Sequence, residues 1–118
     1  MSKSLTKAEL NLMNILWDKQ QASVNEIIEA LPEPKPAYTT VLTVMQVLTK
    51  KEVVRFERQG KANVYIPLLS RERYLHGFMD DTRESLFNGS AKMFLSFFAK
   101  HEKISRQELE EILAEMKE

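Results

Sequence analysis

The chain contains 118 residues, of which 43% are hydrophobic and 29% are charged, and its 17 basic and 17 acidic side chains cancel. These values are typical of one or two small globular domains with a hydrophobic core, and they argue against a disordered chain. Because cysteine is absent, disulfides, thiolate nucleophiles and Cys-ligated metal sites are excluded.

Membrane and export features are also absent from the sequence. No apolar run approaches the roughly 20 residues that a membrane-spanning helix needs. The segment from Met1 to Lys7 is polar and lacks the apolar core of a signal peptide. We therefore expect a soluble, cytoplasmic protein.

Three segments contain the capping box, in which a Ser or Thr and a Glu three residues later satisfy the first amides of a helix. The boxes begin at Thr6, Ser23 and Ser105, and apolar residues at helical spacing follow each of them. The first helix is predicted to reach about Asp18. The second is predicted to end before the proline-rich segment 32–36, because proline removes amide donors.

A third helix is predicted from Tyr38 to about Lys51, because Val41, Met45 and Leu48 recur at helical spacing and form a core-facing stripe. The other face is rich in hydroxyl and amide groups, which can hydrogen-bond to base edges, and threonine methyls can pack on thymine methyls. The alternative is that this face is merely solvent-exposed. The predicted base-reading residues are Tyr38, Thr39, Thr40, Thr43 and Gln46.

After the third helix, apolar residues recur at every second position instead of at helical spacing. This alternation predicts strands over Val53–Arg58 and Asn63–Leu68, with Gly60 in the turn between them. Pro67 predicts that its strand lies at a sheet edge. Basic residues are concentrated here, where they can contact DNA phosphates or form a solvated edge that resists strand pairing. The predicted phosphate-contacting residues are Lys50, Lys51, Arg55, Arg58 and Lys61.

The remainder of the chain predicts three amphipathic helices and contains five of the six phenylalanines. So small a segment cannot bury that much aromatic surface alone. It must pack on a second copy of itself or, alternatively, as a cap on its own domain. We expect a second copy, because a dyad sets two reading helices about 34 Å apart on a palindrome. The predicted dimerisation residues are Phe78, Leu86, Phe94, Leu95, Phe97, Phe98, Leu109, Ile112, Leu113 and Met116.

Together these elements predict a mostly α-helical protein with a small β-hairpin wing. A winged helix-turn-helix domain over residues 1–69 binds DNA, and a helical dimerisation domain follows over residues 70–118. The first segment has nine basic and seven acidic side chains, and the second has eight and ten. The predicted function is a homodimeric repressor bound to double-stranded operator DNA. A winged helix used for protein–protein contact is the alternative, and the zero net charge fits it.

Enzymatic function finds no support in the sequence. With three glycines in all, the chain has no glycine-rich phosphate loop, and no histidine has an evident nucleophile beside it. His76 and His101, the only histidines, are far apart in sequence. We therefore predict neither a metal site nor a cofactor.

Several segments follow one another in a register that is typical of one family: Leu5–Glu9, Met13–Trp17, Ser23–Ile27, Thr39–Thr43, Lys50–Val54, Phe98–Glu102 and Glu108–Leu113. In these segments the chain resembles the penicillinase-repressor family (BlaI/MecI/CopY). The resemblance implies an amino-terminal winged helix, a carboxy-terminal dimerisation domain and repression of a nearby promoter. By position, the family's DNA contacts carry over to Thr39, Thr40 and Thr43. Where close relatives have arginines on that helix, this chain has Leu42 and Val47.

The resemblance also implies how DNA is released. In the antibiotic-resistance branch, a membrane zinc-protease sensor triggers cleavage within the dimerisation domain. The matching bond here is Phe97–Phe98, with phenylalanine before the bond where those relatives have asparagine. Release in the copper-responsive branch needs cysteine ligands, which this chain lacks. The expected release is therefore by proteolysis or by an effector signal.

Overall fold

A computed structural model describes residues 4–101 and 104–117 of the chain. The predicted order of three helices, a hairpin and three further helices is confirmed, with one additional short strand. The elements are α1 (Lys7–Lys19), β1 (Ala22–Ser23), α2 (Val24–Ala30), α3 (Tyr38–Lys50), β2 (Val54–Gln59), β3 (Ala62–Pro67), α4 (Arg71–Phe87), α5 (Ala91–His101) and α6 (Arg106–Met116).

The three predicted capping boxes are all present. At α1 the Thr6 hydroxyl accepts from the Glu9 amide at 3.1 Å, and the Glu9 carboxylate accepts from the Thr6 amide at 2.8 Å. The same reciprocal pair of bonds begins α2 and α6. Each box satisfies two amides that have no partner within the helix, which fixes the residue at which the helix begins.

The three strands form one antiparallel sheet in the order β1-β3-β2. The prediction that Pro67 puts its strand at a sheet edge is wrong, because β3 is the central strand. β1 is only two residues long and pairs with Val64 and Tyr65, so it stops short of Pro67. The proline is tolerated there because, among the described residues, it is paired on one side alone, with Val54 of β2. The sequence did not predict β1, because two residues are too few to show a period.

The hydrophobic core lies between α1, α2, α3 and the sheet. Buried apolar side chains from all these elements form one cluster. Each fully buried side chain of this size stabilises the fold by about 1.5–3 kcal/mol. The largest are Met13, Leu16, Ile27, Val41, Met45, Leu48, Val53 and Val54.

Trp17 joins α1 to the start of α4. Its indole Nε1 donates to the Leu69 carbonyl at 2.8 Å. The Arg71 guanidinium lies 5.3 Å from the centre of the indole ring and also donates to Asp18 at 2.8 Å. The Tyr74 ring is 6.0 Å from that of Trp17. The first turn of α4 therefore packs on the winged helix.

The chain divides into two compact units within α4, since one ends at Phe78 and the other begins at Met79. In the second unit, Asn88 and Gly89 both have positive φ and end α4. Phe87 then packs against Phe94 and Phe97 of α5, at ring-centre distances of 5.3 and 5.9 Å. None of the helices among the described residues is both long and apolar enough to cross a membrane.

A long-range ion pair links the first turn of α1 to the end of α3. The Lys51 ammonium lies 2.8 and 2.9 Å from the two carboxylate oxygens of Glu9, which is buried. Burial alone raises the pKa of Glu9, but hydrogen bonds from Lys51 and from the Thr6 amide outweigh it and lower that pKa below its ordinary value. This stabilisation is complete above the ordinary carboxyl pKa and is lost as pH falls through the lowered one.

Replacing Glu9 with glutamine removes the charge and keeps an oxygen that can accept from the Thr6 amide. We expect Glu9→Gln to lower the free energy of unfolding by about 1–2 kcal/mol near pH 7, since Lys51 is partly exposed. The deficit should shrink in acid, where the wild-type carboxylate is protonated too. Urea unfolding near pH 7 and again in acid, below the pKa of Glu9, measures the loss of stability. Glu57→Gln, in the half-exposed pair with Arg55, is the control that should change little; a deficit independent of pH would contradict the prediction.

Candidate nucleic-acid interface

One face of α3 is buried in the core and the opposite face is open to solvent. Val41, Met45 and Leu48 are at most 2% exposed. All five predicted base-reading residues are exposed, and four of them lie on the opposite side of the same helix: Thr39, Thr40, Thr43 and Gln46. Tyr38, the first residue of α3, is also exposed, but it is three residues before Val41 and so lies beside the core-facing stripe. The predicted roll of the helix about its axis is therefore the observed one.

The hydroxyl of Thr43 is hydrogen-bonded within α3. It donates to the Thr39 carbonyl at 2.8 Å, one turn earlier in the helix. With its proton used within the helix, this hydroxyl can only accept from a ligand, and the side chain also offers its methyl group. That combination suits a base edge that carries an amino donor or a thymine methyl.

The start of α3 differs from those of the helices that have capping boxes. Its N-cap residue, Ala37, makes no side-chain hydrogen bond, and its first turn contains no acidic residue. The first amides of a helix carry a partial positive charge and have no partner within the helix. A phosphate can approach this end of α3 without meeting a competing carboxylate.

A cleft of about 180 Å³ lies between α3 and the hairpin. Tyr38 and Leu42 line it from the helix, and Arg58 and Lys61 line it from the hairpin. It brings together one predicted base-reading residue and two predicted phosphate-contacting residues. Burial, and then the nearby Tyr38, raise the pKa of Tyr65 at its base, so this tyrosine is neutral at physiological pH. The remaining lining residues are Ser23, Val24, Asn25, Ala62 and Asn63.

The five predicted phosphate-contacting residues do not form one free patch. Lys51 is held by Glu9, and the Arg55 guanidinium lies 3.1 Å from the Glu57 carboxylate. Within the part of the chain that the structure describes, no ion pair involves the other three. These are Lys50, Arg58 and Lys61, all of which are exposed.

The predicted contact residues leave out Asn25 and Asn63, which line the cleft, and Val47, which is on the exposed face of α3. Asn63 is opposite Arg58 in the hairpin register, so it could have been found by pairing the strands around Gly60. Asn25 reaches the cleft only through tertiary packing, for which the sequence contains no signal. Val47 is 39% exposed on α3, and its position on the helix turn after Thr43 was sufficient to place it on the outward face.

The helices of the second unit expose much of their apolar surface. Among the described residues, no side chain of α4, α5 or α6 is buried. Phe94, one of the predicted dimerisation residues, is partly covered by Phe87. The other nine are exposed, from 36% at Leu109 to 75% at Met116. Phe97 and Phe98, the predicted cleavage residues, lie within α5 and are about half exposed.

Neither histidine belongs to a metal-binding group. His76 lies 3.9 Å from Glu72 on the same helix, and His101 packs against the Phe97 ring. Across residues 4–101 and 104–117, no cluster of three or more His, Asp or Glu side chains has the geometry to hold a metal ion.

Comparison with known proteins agrees with this fold. A penicillinase repressor of Staphylococcus aureus is 27% identical over 109 residues, which are 92% of this chain and 86% of that protein. The solution structure of the DNA-binding domain of the repressor BlaI matches with a TM-score of 0.54 and 27% identity, over 63% of this chain and 94% of that one. The predicted winged-helix fold is thereby confirmed.

A second solved structure includes a ligand. It is the monomeric form of Bacillus licheniformis BlaI in complex with the blaP half-operator, with a TM-score of 0.53, 27% identity, and coverage of 63% of this chain and 94% of that one. The family model described as penicillinase repressor matches residues 5–118. A match over nearly the whole length shows that the chain belongs to the penicillinase repressor family.

Proposed function

We propose that this protein is a transcriptional repressor that binds a palindromic DNA operator as a homodimer. The observation that carries the proposal is the exposed hydroxyl- and amide-rich face of α3, held outward by the burial of Val41, Met45 and Leu48. An α-helix fits the major groove, which is about 12 Å wide, and these side chains can hydrogen-bond to base edges. The half-operator complex of the related BlaI supports the same ligand for this chain.

Base reading falls to the outward face of α3. Gln46 can make the bidentate pair that glutamine forms with adenine, and Thr39 and Thr40 can donate or accept. Thr43 acts as an acceptor and through its methyl group, because its proton is used within the helix. Tyr38, at the mouth of the cleft, adds a hydroxyl at the edge of the reading face.

Phosphate contacts come from the residues that flank α3. We propose Lys50, Arg58 and Lys61 for this role, together with the first amides of α3, which have no side-chain cap. Lys51 and Arg55 are engaged by Glu9 and Glu57, so they are not included. Such contacts orient the protein on the duplex and do not specify sequence.

The homodimer is supported by the exposed apolar residues of the second unit. Large apolar side chains that remain exposed on three successive helices mark an interaction surface. We propose residues 70–118 as the dimerisation domain and residues 1–69 as the DNA-binding domain. A twofold axis through the dimer then presents two α3 helices to two half-sites about one DNA turn apart, roughly 34 Å.

Release of the DNA follows from disrupting this dimer, by proteolysis or by an effector. The proposed cleavage bond is Phe97–Phe98, and a membrane metalloprotease sensor system is the proposed partner. Because the bond lies within α5, the end of that helix must unfold before a protease can bind it in extended form. Cleavage there also removes α6 from the rest of the chain.

The base-reading assignment predicts a loss that depends on sequence. Thr40→Ala or Thr43→Ala should weaken binding to a selected operator by about 1–3 kcal/mol, with little effect on non-specific duplex. Selection of bound sites from random duplexes provides the operator, and gel-shift titration measures both affinities. Equal losses on both duplexes would contradict base reading by these threonines.

The phosphate assignment predicts a loss that does not depend on sequence. Arg58→Ala should weaken binding to operator and non-specific duplex alike, and should reduce the salt-dependence slope by about one. Arg55→Ala is the matched control, because Arg55 lies on the same strand, points to the opposite face and is paired with Glu57. If the two variants had the same salt slope, the cleft would not be a phosphate-binding site.

The dimer assignment predicts a change of mass. Leu95→Glu in α5 or Leu113→Glu in α6 should reduce the species seen by light scattering from twice the chain mass of 13.7 kDa to that mass. A buried unpaired charge is costly at an apolar interface, whereas both leucines are already more than half exposed in the single chain. Ser96→Glu, next to Leu95 on the polar side of α5, should remain dimeric. A wild-type chain that is monomeric at micromolar concentration would contradict the proposal.

A further inference from the structure

Val47 is an aliphatic side chain on the otherwise polar outward face of α3. It is 39% exposed, whereas Met45, two residues before it, and Leu48, the residue after it, are fully buried. The core therefore does not require an aliphatic residue at this position. An exposed β-branched side chain also has a lower helix propensity than the alternatives.

Val47 continues a row of methyl groups along the helix. Thr40, Thr43 and Val47 are spaced at i, i+3 and i+7, so their side chains lie on one stripe of the α3 surface. All three are exposed and all three are β-branched. Thr43 turns its hydroxyl back to the Thr39 carbonyl, which adds to the apolar character of the stripe.

Thymine supplies the partner with matching chemistry. In the major groove, the C5-methyl of thymine is the apolar feature among hydrogen-bond donors and acceptors. We infer that Val47 packs on the C5-methyl of a thymine in each half-site and specifies that base. The inference rests on the proposed DNA binding by α3, and it adds a specificity-determining residue that acts without a hydrogen bond.

Uracil tests the contact without changing the protein, because it differs from thymine by that methyl group alone. The probe is a duplex that the full-length chain selects from a random pool, prepared with single thymines of one half-site replaced in turn by uracil. At one position the wild-type affinity should fall about fourfold, the equivalent of one lost methyl contact. Fluorescence anisotropy at one fixed salt concentration measures each duplex.

Two variants assign the methyl contact to its residue. Val47→Ala should bind the thymine duplex more weakly and should lose the fourfold difference between thymine and uracil. Lys50→Ala, one turn further along the same face, should bind both duplexes more weakly and keep that difference. Thermal unfolding of both variants checks that the fold is intact.

Each result has a distinct meaning. The inference is overturned, while DNA binding stands, if no uracil replacement weakens binding, if the selected half-site contains no thymine, or if Val47→Ala keeps the fourfold difference. The proposed function fails together with it if the chain selects no sequence from the pool. A loss at one thymine that only Val47→Ala abolishes supports the assignment.

Discussion

The burial of Val41, Met45 and Leu48 fixes how α3 is rolled about its axis, and the candidate interface depends on that roll. A rotation of one residue, about 100°, would expose three fully buried side chains at about 1.5–3 kcal/mol each. That cost is a large part of the stability of a small domain. The helix is therefore held in a single rotation about its axis, with the opposite face exposed to solvent. Thr43, Gln46 and Val47 are therefore outward for the same reason that Met45 is inward.

The fold could be predicted from sequence wherever local chemistry decides it. Capping boxes, the proline-rich segment and the change of apolar period fix the element boundaries, and none of them depends on a distant residue. β1 and the central position of β3 were missed because they arise from pairing between segments about 40 residues apart, at Ala22 and Tyr65. Two residues that pair only at that range leave no periodicity in the sequence.

The sequence was enough to predict which face of α3 is exposed, but not which basic side chains are held in ion pairs. The outward face of α3 follows from helical periodicity alone, which is why Thr39, Thr40, Thr43 and Gln46 are exposed as predicted, whereas Tyr38 is exposed at the first residue of the helix. Charge counting cannot distinguish Lys50 from Lys51. The two are adjacent in sequence, yet only Lys51 reaches the buried carboxylate of Glu9. The grouping of Tyr38 with Arg58 and Lys61 likewise needed the tertiary structure, since the helix and the hairpin meet only in the folded chain.

The two units differ in how much of their apolar surface they bury within the single chain. This difference bears on the proposed release of the DNA. The winged helix buries a contiguous core, whereas the described part of the second unit buries no side chain. Its helices are therefore expected to gain most of their stability from association, so that folding of the tail and dimerisation are coupled. Under the proposed release, a cut within α5 would separate the two DNA-binding domains of the dimer and would leave the core of each winged helix intact. Two linked DNA-binding domains bind more tightly than one, because the link raises the effective concentration of the second domain at its half-site. Losing that link would therefore weaken operator binding without changing the outward face of α3.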